Sequence, residues 1–160
     1  MNFEVTKRIL EKFKSYIDVK KATVDSYTDD FRDKEYKIDR ITLDEETNLW
    51  FEVTNREIII FCLDSHQHFD NYATDENDDT YIDHAIEFLE DLFTLPIKLV
   101  EKWKGQKVVN EKYYFIKDDE DHCFENISPL LLFFNPFAKK IYRTSMWKYD
   151  SNTNRLVNVE

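Results

Sequence analysis

The chain has 160 residues and carries 33 acidic against 22 basic side chains, for a formal net charge of −11, yet 42% of it is hydrophobic, with 13 Phe, 9 Tyr and 3 Trp. A chain of this size removes roughly 68–70% of its unfolded surface from water, so neither metal nor disulfide is needed for folding, and the aromatic content excludes a disordered chain. The single glycine, Gly105, excludes phosphate-cradling loops, dinucleotide fingerprints and nucleophile elbows, all of which need glycines at fixed spacing.

No apolar run approaches the ~18–20 residues of a membrane helix, and Glu4, Lys7, Arg8 and Glu11 stand where a signal peptide would be apolar. The expected location is the cytoplasm, without a membrane partner. Cys62 lies in an apolar run and Cys123 two residues after four consecutive acids, far apart and without metal-ligand spacing. Both are expected as free thiols, Cys62 buried and Cys123 reactive.

In chain order, Asn2 is placed to cap a helix in which Phe3, Ile9, Leu10, Phe13, Tyr16 and Ile17 recur at three- and four-residue spacing, which predicts an amphipathic helix to about Lys21. Residues 25–35 mix acids with Tyr27 and Phe31 without a clean period and read as a linker. Residues 36–43 predict a first strand. The runs 50–54 and 57–63, separated by Asn55 and Arg56, predict a β-hairpin. Residues 58–63 hold no polar side chain, so both faces of that strand are expected to be covered. The chain then leaves on a polar excursion, 64–77.

From Asn77 or Asp78, the spacing of Ile82, Ala85, Ile86, Leu89, Leu92 and Phe93 predicts a second helix, ended before Pro96. Residues 97–104 and 107–116 predict two strands joined by Gly105-Gln106 in a type II′ turn. After an acidic loop, 118–121, Ser128-Pro129 offers a helix start for residues 130–134. Residues 141–149 predict a last long strand, with a short edge strand over 155–159. The expected fold class is α+β: one globular domain, 1–160, with a mainly antiparallel sheet of about 5–7 strands covered by two amphipathic helices.

The charge is unevenly distributed. Between residues 57 and 97 stand eleven acids and no Lys or Arg, while the remaining residues hold 22 of each sign. On the predicted helix, Asp83, Glu87 and Asp91 repeat at four residues and Glu87 and Glu90 at three, each pair costing a few tenths of a kcal/mol. Glu90 and Asp91 also sit at the helix end that favours cations. Such breaches are expected where a surface serves a partner. The expected partner-binding residues are therefore Asp75, Glu76, Asp78, Asp79, Asp83, Glu87, Glu90 and Asp91, facing a basic protein.

Two alternatives come from other classes. Asp64, His66, His68 and Asp70 alternate at two-residue spacing, which in a strand turns all four the same way and suits a zinc or iron enzyme. Neighbours on one strand rarely close a metal site alone, so no metal or cofactor is expected. The calcium-loop echo at Asp75, Asn77, Asp79, Tyr81 and Asp83 has Thr80 at the glycine position and Ile86 at the bidentate glutamate. The third reading is a structural subunit docking through the apolar run 130–137. Nucleic acid is not an expected partner, because the basic residues are scattered along the chain. The favoured reading is a non-enzymatic binding protein, without catalytic residues, of the kind that neutralises a basic toxin or nuclease, as immunity proteins and antitoxins do.

Overall fold

The computed structural model describes residues 2–31, 34–71, 79–128 and 139–159. Among these residues two helices accompany two antiparallel five-stranded sheets. The first sheet is a meander of β1 (Thr23–Phe31), β2 (Lys34–Asp44), β3 (Leu49–Val53), β4 (Glu57–Cys62) and β5 (Ser65–Asp70), paired in sequence order. The second is built from β6 (Ile97–Lys104), β7 (Lys107–Lys117), β8 (Glu120–Ile127), β9 (Lys140–Asp150) and β10 (Arg155–Asn158), in the order β10-β9-β6-β7-β8. The helices are α1 (Asn2–Lys12) and α2 (Thr80–Thr94).

The expected single sheet of about 5–7 strands is thus corrected to two sheets, and three polar strands account for the difference. Residues 25–35, read as a linker, lie largely in β1, which pairs with β2 from Thr23↔Thr42 to Phe31↔Lys34. The polar excursion contains β5, paired with β4 from Glu57↔Asp70 to Cys62↔Ser65. The acidic loop is a two-residue turn: Asp118 and Asp119 both adopt positive φ, 53° and 63°, as a type I′ hairpin requires, and β8 follows at once. All three are edge strands. Charge at an edge discourages pairing with other chains, so it dilutes the apolar alternation by which strands are recognised.

The first helix ends at Lys12 rather than near Lys21, but Phe13 and Ile17 remain buried through the turns that continue it, Ile17 N–H donating to Phe13 O at 2.8 Å. Strand β4 is covered unequally. Ile58, Ile60 and Cys62 are at most 1% exposed, while Ile59 and Phe61 on the opposite face are half-buried, which corrects the expectation of two covered faces. The hairpin itself stands where expected, its turn closed by Thr54 N–H donating to Glu57 O at 2.8 Å. Gly105 has φ 62°, the sign that the first position of a type II′ turn needs. The helix expected over 130–134 falls outside the described residues.

Helix α2 is the centre of the core. Phe88 meets Phe69 of β5 at 5.7 Å and Phe115 of β7 and Phe124 of β8 at 5.2 and 5.4 Å, so one helical residue touches both sheets. One turn later Phe93 contacts Phe13 at 5.2 Å and Tyr149 of β9 at 4.6 Å. Its apolar residues Leu89 and Leu92 are wholly buried, whereas Asp83, Glu87 and Glu90 stay on the solvent side. Asn154, also wholly buried and at φ 57°, accepts from Asp18 N–H and donates to Asp18 O, both at 2.8 Å, and so ties the end of the second sheet to the turn after α1.

Candidate interaction surfaces

Of the eight expected partner-binding acids, Asp75, Glu76 and Asp78 lie outside the described residues. The other five lie together along the outer side of α2 or at its start, where Asp79 is the N-terminal flanking residue. The compensation that the local sequence lacks comes from other elements. Arg8 of α1 pairs with Asp83 at 2.6 Å, Lys12 of α1 with Glu90 at 3.1 Å, and Lys117 of β7 with Asp91 at 4.0 Å. Glu87 has no such partner among the described residues. Side-chain exposures of 62% at Asp83 and 54% at Glu90 leave the ridge open to solvent. Ion pairs so exposed are worth about 0–1 kcal/mol, so they moderate the repulsion without closing the surface.

The outer face of the first sheet carries a continuous aromatic and ionic ladder. Tyr27 Oη donates to Glu52 Oε1 at 2.5 Å, and the Arg40 guanidinium bonds the same oxygen at 2.6 and 2.8 Å. Burial and the Glu52 charge push the Tyr27 hydroxyl up to about 12. Arg40 lies 4.3 Å over the Trp50 ring, Trp50 stacks on Phe61 at 3.7 Å, and Phe61 on His66 at 5.2 Å. His68 ends the ladder with Nδ1 2.5 Å from Glu57 Oε1. The ladder accounts for the half-coverage of the second face of β4 among the described residues.

The alternative metal set is partly brought together. His66, His68 and Asp70 share one face of β5, but Asp64 sits in the turn before the strand. His66 is stacked on Phe61 and His68 is engaged by Glu57, while Asp70, His68 and His84 line one shallow depression beside the start of α2. Among the described residues no three His, Cys, Asp or Glu side chains are grouped as a metal would require. His122 and Cys123 pair with Phe115 and Tyr114, residues on opposite faces of β7, so the two side chains diverge.

A group that sequence reading missed lies on the inner face of the second sheet, where cross-strand pairing sets Glu101 between Glu111 and Arg143. The Glu111 carboxyl is raised above its usual range by burial first and then by the Asp64 and Glu101 charges, with the Tyr113 hydroxyl, 3.4 Å away, acting weakly in the opposite direction. A raised folded value means that the charged form is disfavoured in the fold. Stability is intact below the ordinary carboxylate pKa and is lost as pH rises through the folded one. Glu111→Gln should therefore raise the melting temperature at neutral pH, and the gain should vanish as pH is lowered to about 4. Thermal melts across that range check this, and a gain that persists at acid pH would exclude the charge as its cause.

These features define an α+β protein of two antiparallel sheets whose outer surfaces carry organised charge and aromatic groups. No family model, curated protein or solved structure matches the chain. No helix among the described residues is long and apolar enough to cross a membrane.

Proposed function

We propose that this is a non-enzymatic binding protein whose acidic α2 ridge engages a basic macromolecular partner, in the manner of a cytoplasmic immunity protein or antitoxin that neutralises a basic toxin. The observation that carries the reading is the ridge itself: Asp79, Asp83, Glu87 and Glu90 line the solvent side of a helix whose other side is fully committed to the core, with no basic residue in its last turn. Electrostatic complementarity of this kind speeds encounter and sets partner choice more than it adds affinity. The pairs with Arg8, Lys12 and Lys117 are solvent-exposed and weak in net energy, so a partner's cations can replace them at little cost.

Two variants separate binding from folding. Glu87→Gln removes an acid with no partner among the described residues and relieves repulsion from Asp83, Glu90 and Asp91, so its stability should stay level or rise by a few tenths of a kcal/mol. A quadruple variant, Asp83→Asn with Glu87→Gln, Glu90→Gln and Asp91→Asn, should lose capture of a basic protein from the native cell extract at low salt, a capture the unaltered protein loses at high salt. Equal capture by both proteins would remove the ridge as the binding surface. Destabilisation of Glu87→Gln beyond about 1 kcal/mol would assign that acid to the fold instead.

A further inference from the structure

Basic residues that are scattered along the chain converge across the second sheet. Strand β6 reads Ile-Lys-Leu-Val-Glu-Lys-Trp-Lys, so Lys98, Lys102 and Lys104 project from one face and Ile97, Leu99 and Trp103 from the other. Cross-strand partners share a face, and the register sets Tyr114 and Met146 beside Lys98, Lys112 and Thr144 beside Val100, Tyr142 beside Lys102, and Lys107 and Lys140 beside Lys104. Lys148 extends the same side of β9. The result is seven lysines on the outer face of one sheet, against Asp121, which pairs with Lys98 at 2.6 Å, and Asp150 at the rim. In a chain with 33 acids, Lys102, Lys107, Lys112, Lys140 and Lys148 have no carboxylate partner among the described residues. Two tyrosines stand among them, and Tyr142 is 63% exposed.

From this juxtaposition we infer that the outer face of the second sheet binds a single-stranded nucleic acid, the lysines meeting phosphates and the exposed Tyr142 stacking on a base. Lysines alone fit any polyanion, but an exposed ring set among them, as Tyr142 is here with the half-buried Tyr114 5.8 Å beneath Lys98, suits a strand with unstacked bases, since every base offers a π-face. The eight residues of β6 span about 26 Å, room for about four nucleotides, a common site size for one sheet-borne platform. A duplex is disfavoured, because its paired and stacked bases offer no free face to Tyr142. This site is distinct from the α2 ridge and does not depend on it.

The test measures fluorescence anisotropy of a labelled oligothymidylate of about twelve nucleotides on the full chain. Binding should weaken roughly 50-fold between about 50 and 200 mM salt, as four or so phosphate contacts imply. Tyr142→Ala should weaken it about tenfold through the lost stacking, and Lys102→Glu with Lys112→Glu should abolish it, with melting temperatures kept near that of the unaltered protein. Absence of saturable binding at the lower salt would overturn the proposal, as would a Tyr142→Ala variant that binds equally well. Equal competition by polyglutamate or by vesicles of anionic lipid would replace it with an acidic polypeptide or a membrane surface. The α2 quadruple variant should bind the oligonucleotide as well as the unaltered protein does, so loss of either surface is read separately.

Discussion

Replacing Leu89 with Ala should cost the fold about 3–4 kcal/mol, within the range for wholly buried leucines, and lower the melting temperature by roughly 10 °C for a chain of this size. Leu89 is 0% exposed on α2, the element that packs on both sheets, and the neighbouring Phe88 and Phe93 already bridge β5, β7, β8 and β9. A cavity at this position cannot collapse without moving a helix that each sheet holds in place, so relaxation should recover little of the loss. The comparison is Val157→Ala on β10, 37% exposed, which should change stability by no more than about 0.5 kcal/mol. Chemical denaturation of the two variants checks the pair. Similar losses for both would mean that α2 is not the shared centre of the core.

The second large effect concerns the thiols. Cys62 is buried on the core face of β4, and burial, with a smaller contribution from the Glu125 charge, pushes its thiol up to about 12. Cys123 is exposed on edge strand β8. Only the thiolate reacts, and burial keeps the Cys62 thiol both protonated and shielded from the reagent, so Cys62 should react far more slowly than the exposed Cys123. A native-state time course with a chromogenic thiol reagent should show one rapid equivalent and a second released only on unfolding. Mass analysis should place the rapid label on Cys123. Two fast equivalents would mean that β4 is not the core strand.

The proposed interaction surfaces differ in how they are encoded. The acidic ridge is a property of a single helix, and its members recur at helical spacing in one segment, so it is visible before any fold is known. The lysine face assembles β6, β7 and β9, which bring Lys98, Lys112 and Lys148 onto one side although they lie far apart in sequence. Only the alternation of Lys98, Lys102 and Lys104 within β6 signals it in advance.

By itself the sequence determined both helices, the central hairpin, the glycine turn, strands β2, β6, β7, β9 and β10, and the solvent side of α2. In each case the cause is local: apolar spacing close to 3.6 or 2 residues commits a segment to a helix or a half-buried strand, and Gly105 supplies a positive φ at low cost. Tertiary structure decided the rest. Strands β1, β5 and β8 hold acids and polar residues because they are edges, and their conformation comes from pairing with β2, β4 and β7 rather than from their own patterns. The division into two sheets follows from α2 entering between β5 and β6 in the chain and offering apolar contacts to both. The partners of Asp83, Glu90 and Asp91 were decided in the same way, since Arg8, Lys12 and Lys117 reach them only after α1 and β7 have packed beside α2.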